Sequence, residues 1–290
     1  MKFVTLSDFV QDIRKNLHKI PHNIDFVMGI PRSGMIAASI ISEYLNAPLI
    51  DIDSFISGAK PTGGGRLQYH IGTGKDRKRV LVVDDTIFSG RSKKASTAKL
   101  VSFNSAYEFV YIVVYLEGPC TDVDVWLEDL RRFTNSFKEY VLYEWNIFHH
   151  GPKITGECIY DFDNVLCVEP PDERLGQPYI DYIKNATPLF LPTSKIGEIV
   201  SFRLEKYSDI TKRWLDEYNV SYGSLTLFPA QSWDERNATG ISPAAFKADI
   251  YRHRPWAKLF VESDDRQARE IYESTGKSVY CVDSNKMYAR

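Results

Sequence analysis

The stretch VLVVDDTIFSGRS, Val80 to Ser92, decides how the rest of the chain is read. Four apolar residues suited to a buried strand end in two acids, Asp84 and Asp85, and turn at once into small hydroxyl and glycine positions. The next residues, KKASTAKLV, read as a helix start. In an open parallel sheet, ligands bind beyond the carboxyl ends of the strands, and this loop lies at such an end. Ser89, Gly90 and Ser92 then stand at a helix N-terminus, where unpaired N–H groups and the dipole favour an anion. Gly90 allows close backbone approach. Thr86, Ser89 and Ser92 offer hydroxyls to phosphate oxygens. Asp84 and Asp85 repel a phosphate, so they suit sugar hydroxyls or a magnesium ion beside it. Acids and an anion cradle in one loop imply a phosphorylated sugar.

The remaining 277 residues of the 290-residue chain limit the alternatives. With 43% hydrophobic and 26% charged residues and a formal net charge of -2, the composition is that of a soluble globular protein. No basic excess points to nucleic acid. The four cysteines, Cys120, Cys158, Cys167 and Cys281, form no CxxC pair. That suits a reducing compartment and argues against a disulfide framework or a structural zinc site. MKFVTLSDFVQDIRKNL lacks the apolar core of a signal peptide, and no apolar run reaches the length of a membrane span. The expectation is a cytoplasmic protein with no membrane span. A homo-oligomer is left open.

Short apolar runs alternate with amphipathic segments: IDFVMGI, APLIDI, RVLVVDD, EFVYIVVYL, then ECIYDFD, EIVSF, KLFVES and SVYCVD. This alternation indicates βαβ units and parallel sheets. HHGPKITGE (residues 149–157) is polar, contains Gly and Pro, and precedes a fresh strand ending in acids. The expected division is therefore into residues 1–152 and 153–290, two α/β, Rossmann-like domains with parallel sheets.

The Val80–Ser92 stretch resembles the 5-phosphoribosyl-1-pyrophosphate (PRPP) signature of type I phosphoribosyltransferases. VMGIPRSGMIAASIISEYLNAPLI, with GIPRSG after a strand, resembles that family's earlier pyrophosphate loop. The resemblance covers roughly residues 20–115. It implies that Asp84 and Asp85 hold ribose hydroxyls and serve catalysis. Thr86, Ser89, Gly90, Arg91 and Ser92 would bind the 5-phosphate, and Arg32, Ser33 and Gly34 the pyrophosphate. The Gly-rich, basic segment 57–79 stands where the family has a mobile loop, with Lys60, Arg66 and Lys75 as candidates to neutralise departing pyrophosphate. Phe88 departs from the pattern, standing where a small hydroxyl residue is usual. The implied reaction passes through an oxocarbenium-like state at C1 while pyrophosphate leaves with Mg²⁺. Trp126 or Trp145 could stack on an acceptor base or sugar; His149 and His150 could serve as a base, though surface histidines are the plainer reading.

ECIYDFDNVLC repeats the pattern of a strand running into acids. It resembles the first motif of haloacid dehalogenase (HAD) superfamily phosphohydrolases. Ser201 in EIVSF, Lys247 in SPAAFKADIY and the Glu262, Asp264, Asp265 cluster in KLFVESDDRQA match the later motifs in order. The resemblance implies an HAD-like fold. Asp161 would be the nucleophile and Asp163 the acid that protonates the leaving group and then activates water. Ser201 and Lys247 would hold phosphoryl oxygens. Mg²⁺ would be held by Asp161, Asp163 and the Glu262, Asp264, Asp265 cluster. The short, proline-containing segment 167–196 leaves no room for a large cap, so an open site is expected. Trp214, on an amphipathic helix pattern, reads as core.

Together the resemblances imply a bifunctional enzyme: phosphoribosyl transfer from PRPP, then removal of the 5-phosphate. The net result is ribofuranosyl transfer, to a sugar hydroxyl of a glycan as in polysaccharide assembly. The alternatives are a nucleobase acceptor, giving nucleosides, and a regulatory PRPP-binding protein with a phosphatase attached.

Overall fold

The computed structural model describes residues 1–65, 76–134, 140–171 and 176–289. Its contacts divide into two compact units, Lys2–Trp145 and Asn146–Arg290, with Met1 grouped with the second. The division falls after Trp145, earlier in the chain than the expected 152/153. No helix among the described residues is long and apolar enough to cross a membrane.

The first unit opens with β1 (Lys2–Val4) and α1 (Leu6–Lys15). Thr5 starts α1 with a capping box: its hydroxyl accepts from Asp8 N while the Asp8 carboxylate accepts from Thr5 N. There follow β2 (Phe26–Gly29), α2 (Ser33–Leu45), β3 (Leu49–Asp51), α3 (Ile52–Ile56), β4 (Lys78–Ile87), α4 (Arg91–Leu100) and β5 (Tyr107–Leu116). The unit ends with β6 (Val125–Asp129), α5 (Arg131–Thr134) and β7 (Val141–Tyr143). Strands β3-β2-β4-β5-β6 form a wholly parallel sheet, and β1 pairs with β7 apart from it.

The apolar runs are continuous because both faces of this sheet are covered. Val27, Leu81, Val83, Ile112 and Val114 face one core cluster. Phe26, Met28, Val80, Val82 and Tyr111 face the other. The sequence order reverses direction between β2 and β4. In an open α/β sheet that is where the crevice for a ligand lies.

The second unit carries α6 (Pro152–Thr155), β8 (Cys158–Tyr160), α7 (Gly176–Asn185), β9 (Ile196–Leu204), α8 (Ser208–Glu217) and β10 (Tyr222–Phe228). It continues with α9 (Trp233–Ala238), α10 (Pro243–Arg252), β11 (Leu259–Glu262), α11 (Asp265–Thr275), β12 (Ser278–Cys281) and β13 (Lys286–Tyr288). The sheet order is β10-β9-β8-β11-β12-β13. It is mixed, because β13 returns antiparallel beside β12, which corrects the expectation of a purely parallel sheet. Its switch point lies between β8 and β11. Between β8 and β9 the described residues hold one helix, α7. Trp214 is 1% exposed and donates to Ala186 O, which bears out its reading as core.

Candidate functional sites

In the first unit, the ends of β2 and β4 bring the two loop motifs to one switch point. A β-carbon on Gly34 would stand 2.8 Å from Val83 O and 2.9 Å from Asp84 Oδ1. Only glycine lets the start of α2 lie against the end of β4 this closely. Gly90 has φ +73°, and a β-carbon there would meet Cys120 Sγ at 2.4 Å. The phosphate-loop candidate is thus packed against the chain following β5.

The two acids part company at this point. Asp84 is half-buried and accepts from Ser92 Oγ at 2.9 Å. It lines a cavity of about 110 Å³ together with Thr86, Phe88, Ser89, Gly90 and Arg91. Asp85 is 7% exposed and accepts from Trp145 Nε1 at 3.0 Å. Burial, followed by the neighbouring Asp85 charge, pushes Asp84 up to about 7. Burial raises Asp85 as well, against the hydrogen bond from Trp145. Trp145 is therefore a partner of Asp85, packed on Phe9 and Tyr143, rather than a ring that stacks on an acceptor. Trp126, on β6, is 37% exposed.

Sequence reasoning missed a third acid. Glu117 follows β5, where Tyr143 hydroxyl donates to its carboxylate. Burial and the Asp85 charge push it up to about 8. Its signal was slight: an acid directly after an apolar strand run.

Arg32 is exposed and Ser33 half-buried at the start of α2. Lys60 is not brought to them. It lines a cavity with Asp25, Phe26 and Lys78, where β2 and β4 begin, at the opposite end of the strands from Asp84. The expected contact of Lys60 with departing pyrophosphate is thus not made in this arrangement. Arg66 and Lys75 lie outside the described residues.

The second unit gathers its motifs in a cavity of about 430 Å³ beside the β8–β11 switch point. Asp161, 5% exposed, follows β8, and Ser201 lies on β9. Strand β9 runs on past Ser201 to Leu204. Its register against β10 shifts at that point, with Leu227 opposite Ser201 but Phe228 opposite Leu204. Such an irregularity re-aims side chains, and Ser201 and Arg203 both line the cavity.

Lys247 comes from α10, whose N-cap Ser242 and first-turn Pro243 set its start. Its Nζ donates to Asp161 Oδ2 and Glu262 Oε2, each at 2.7 Å, and to Gln267 Oε1 at 3.1 Å. Two buried carboxylates share one ammonium. Burial pushes Asp161 up to about 8, with Lys247 opposing and Glu262 adding to the shift. Lys247 itself is held above its ordinary value by those two carboxylates, against the cost of burial.

Asp163 lines the same cavity but is ringed by donors. Arg203, a buried residue missed in sequence, forks onto both of its oxygens and lies 4.0 Å over the Phe162 ring. Tyr182 hydroxyl donates to Asp163 Oδ1 at 3.0 Å. These charge-assisted hydrogen bonds fix where the Asp163 carboxylate stands in the cavity.

Of the remaining acids, Asp264 lines the cavity and caps α11 through Gln267 N. Asp265 does not reach it: its Oδ1 accepts from Ser284 Oγ at 2.6 Å and Tyr288 hydroxyl at 2.8 Å. That removes Asp265 from the expected metal ligands. Asp283, after β12, does line the cavity and was not singled out. His150 is half-buried, and burial pushes it down to about 4, a neutral imidazole in the second unit.

Among the described residues, no three His, Cys, Asp or Glu side chains are arranged to cage a metal ion. Magnesium is usually bound by one or two carboxylates, with water and substrate phosphates completing the octahedron. Asp84 in one unit, and Asp161 with Asp264 in the other, fit that limited role.

The family model described as a phosphoribosyl transferase domain matches residues 5–154. The chain belongs to this family. Its shared chemistry is PRPP-dependent phosphoribosyl transfer, and the enzyme is a phosphoribosyltransferase. The matched span holds both loop motifs and the sheet that presents them. Three solved structures to which the chain is similar each cover about half of it. The Helicobacter pylori xanthine-guanine-hypoxanthine phosphoribosyltransferase is 18% identical over 50% of this chain and 93% of that one, with TM-score 0.36. The purine phosphoribosyltransferase of Pyrococcus horikoshii is 18% identical over 50% and 94%, with TM-score 0.32. The orotate phosphoribosyltransferase of Aeropyrum pernix is 18% identical over 49% and 73%, with TM-score 0.27. No curated protein matches the chain.

Proposed function

We propose that this phosphoribosyltransferase carries a second activity, phosphate-ester hydrolysis, in residues 146–290. The observation that carries this reading is the convergence of Asp161, Ser201, Lys247 and Glu262. They come from three strands and a helix and meet in or beside one cavity at the sheet's switch point. Their order along the chain resembles that of HAD phosphohydrolases, and the β10-β9-β8-β11-β12 strand order suits such a site.

In the first unit, Asp84 and Asp85 are the ribose-side acids and the Thr86–Ser92 loop takes the 5-phosphate. The C1–oxygen bond to pyrophosphate breaks as the bond to the acceptor forms. The protein's part is to hold the two in line and place N–H and hydroxyl donors at the phosphates. In the second unit, an Asp161 oxygen attacks phosphorus, the ester bond breaks, and an aspartyl-phosphate forms. Ser201 and Lys247 hold phosphoryl oxygens. Asp163, positioned by Arg203 and Tyr182, gives its proton to the departing alkoxide oxygen and then takes a proton from the water that cleaves the aspartyl-phosphate, so that phosphate is released and both acids return to their starting state. Magnesium, when bound, neutralises charge between carboxylate and phosphate.

Run in sequence, the two steps give net ribosyl transfer. Removing the phosphate serves a ribosylated glycan better than nucleotide salvage, where the phosphate is the useful part, so a sugar hydroxyl is the acceptor we favour. Phe88 supports a second reading. It is 54% exposed and lines the cavity holding Asp84, a ring against which a nucleobase could lie.

The test is product analysis by mass with PRPP, Mg²⁺ and a panel of glycans and nucleobases. Asp161→Asn should accumulate the phosphoribosylated acceptor, heavier by one phosphate than the wild-type product. Dephosphorylated product from that variant would remove Asp161 as nucleophile. Pyrophosphate release with no phosphate release by wild type would leave the transferase alone.

A further inference from the structure

The cavity holding Asp161 is larger than a phosphate needs. At about 430 Å³ it has the size of a small-molecule site. Phosphate chemistry occupies one end, where Asp161, Ser201, Lys247 and Asp264 stand. The same cavity is walled by Trp233 and Arg236 on α9, with Phe202 and Tyr179.

That wall is tied to the reacting end. Arg236 Nη1 donates to Phe202 O at 2.8 Å, and Phe202 lies between Ser201 and Arg203. The guanidinium lies 3.8 Å over the Trp233 ring and 4.3 Å over the Phe202 ring, and Arg236 is 7% exposed. An arginine held between two aromatic faces keeps one orientation, and cation–π contact strengthens as water is excluded. Ser232 caps α9 through Glu235 N, and Glu235 in turn accepts from Gln231 N, so the segment presenting Trp233 is pinned at its start. Trp233 is half-buried, which leaves part of the indole to the cavity. A flat apolar ring beside fixed N–H donors matches a sugar: C–H groups lie on the indole, and hydroxyls meet the guanidinium.

We propose that Trp233 and Arg236 form a leaving-group subsite that takes a furanose ring, so that the second unit selects sugar phosphates over phosphate esters in general. This deepens the phosphohydrolase reading above and rests on it.

The experiment compares the full-length protein with Mg²⁺ on D-ribose 5-phosphate and on ethyl phosphate, a primary alkyl phosphate ester like the first but with no ring to place. The wild type should show a kcat/KM ratio favouring ribose 5-phosphate by at least tenfold. Trp233→Ala and Arg236→Lys should each lower that ratio about tenfold, through a raised KM for the sugar phosphate. Trp233→Phe, which keeps a ring, should restore most of it. Circular dichroism melts establish that each variant is folded, and the ratio is internal to each protein. Hydrolysis of both substrates with no preference, or a ratio that neither substitution moves, overturns the subsite and leaves the phosphohydrolase standing. Hydrolysis of neither by wild type overturns the phosphohydrolase reading itself, and the subsite with it.

Discussion

Gly34 stands so close to Asp84 that a β-carbon on it would lie 2.9 Å from the carboxylate Oδ1 and 3.0 Å from the Asp84 Cα. Two motifs fifty residues apart in sequence are thereby one structural object. Gly34→Ala should displace α2 from the end of β4. Overpacking of this kind costs about 1–3 kcal/mol. The expected outcome is a lower Tm with PRPP affinity reduced at least tenfold by calorimetry. Unchanged PRPP binding would mean that the pyrophosphate loop and Asp84 do not act together.

Trp145 supplies a hydrogen bond to a buried carboxylate, Asp85. Trp145→Phe keeps the ring packed on Phe9 but leaves that oxygen without its donor. Losing such a partner costs about 1–3 kcal/mol. Chemical denaturation should show this loss. A Trp145→Phe protein as stable as wild type would place the indole N–H outside the energetics of the site.

Glu117 predicts a pH effect. Its value rises from an ordinary 4.5 to about 8 through burial and the Asp85 charge. A raised acid binds its proton more tightly in the folded state. Its contribution is therefore intact below pH 4.5 and is lost as pH climbs toward 8. Glu117→Gln cannot ionise. It should match wild type at pH 5 and exceed it at pH 8, by about 2–4 °C in Tm per kcal/mol recovered. Equal Tm differences at both pH values would contradict this.

Lys247 holds two buried acids at once. Lys247→Met leaves Asp161 and Glu262 facing each other without the ammonium, and breaking a buried ion pair costs about 3–5 kcal/mol. Because burial and Glu262 already hold Asp161 high, protonation should relieve the damage. The variant's Tm deficit should shrink from pH 8 to pH 6. A deficit that grows on acidification would show that the two carboxylates are not what Lys247 stabilises. Phosphate release should be lost in this variant at either pH.

The sequence by itself determined where the strands with both faces buried lie and which loops follow them. IDFVMGI, RVLVVDD and EFVYIVVYL are legible because a strand covered on both sides needs apolar residues at every position. The edge strands β6 (VWLED) and β10 (YGSLTLF) were not legible. They are partly exposed and mix polar residues with apolar ones, so no periodic signal stands out. The two acid-ended loops were equally plain, since loop chemistry is local: Gly34, Gly90, Asp84 and Asp161 are marked by their neighbours in sequence.

Pairing belonged to the tertiary structure. Asp84 and Asp85 look equivalent in sequence, yet one faces Ser92 and a cavity while the other is buried beneath Trp145. Adjacent residues near a strand end point to opposite faces, and what each face meets comes from elsewhere in the chain. Asp163 is marked in sequence by its motif, but its partner Arg203 lies forty residues on and is brought to it only by the fold. Asp264 and Asp265 diverge likewise, one to the cavity and the other to Ser284 and Tyr288. A carboxylate's role depends on the donors around it. Those donors arrive from strands and helices that are distant in sequence, so only the folded chain assigns them.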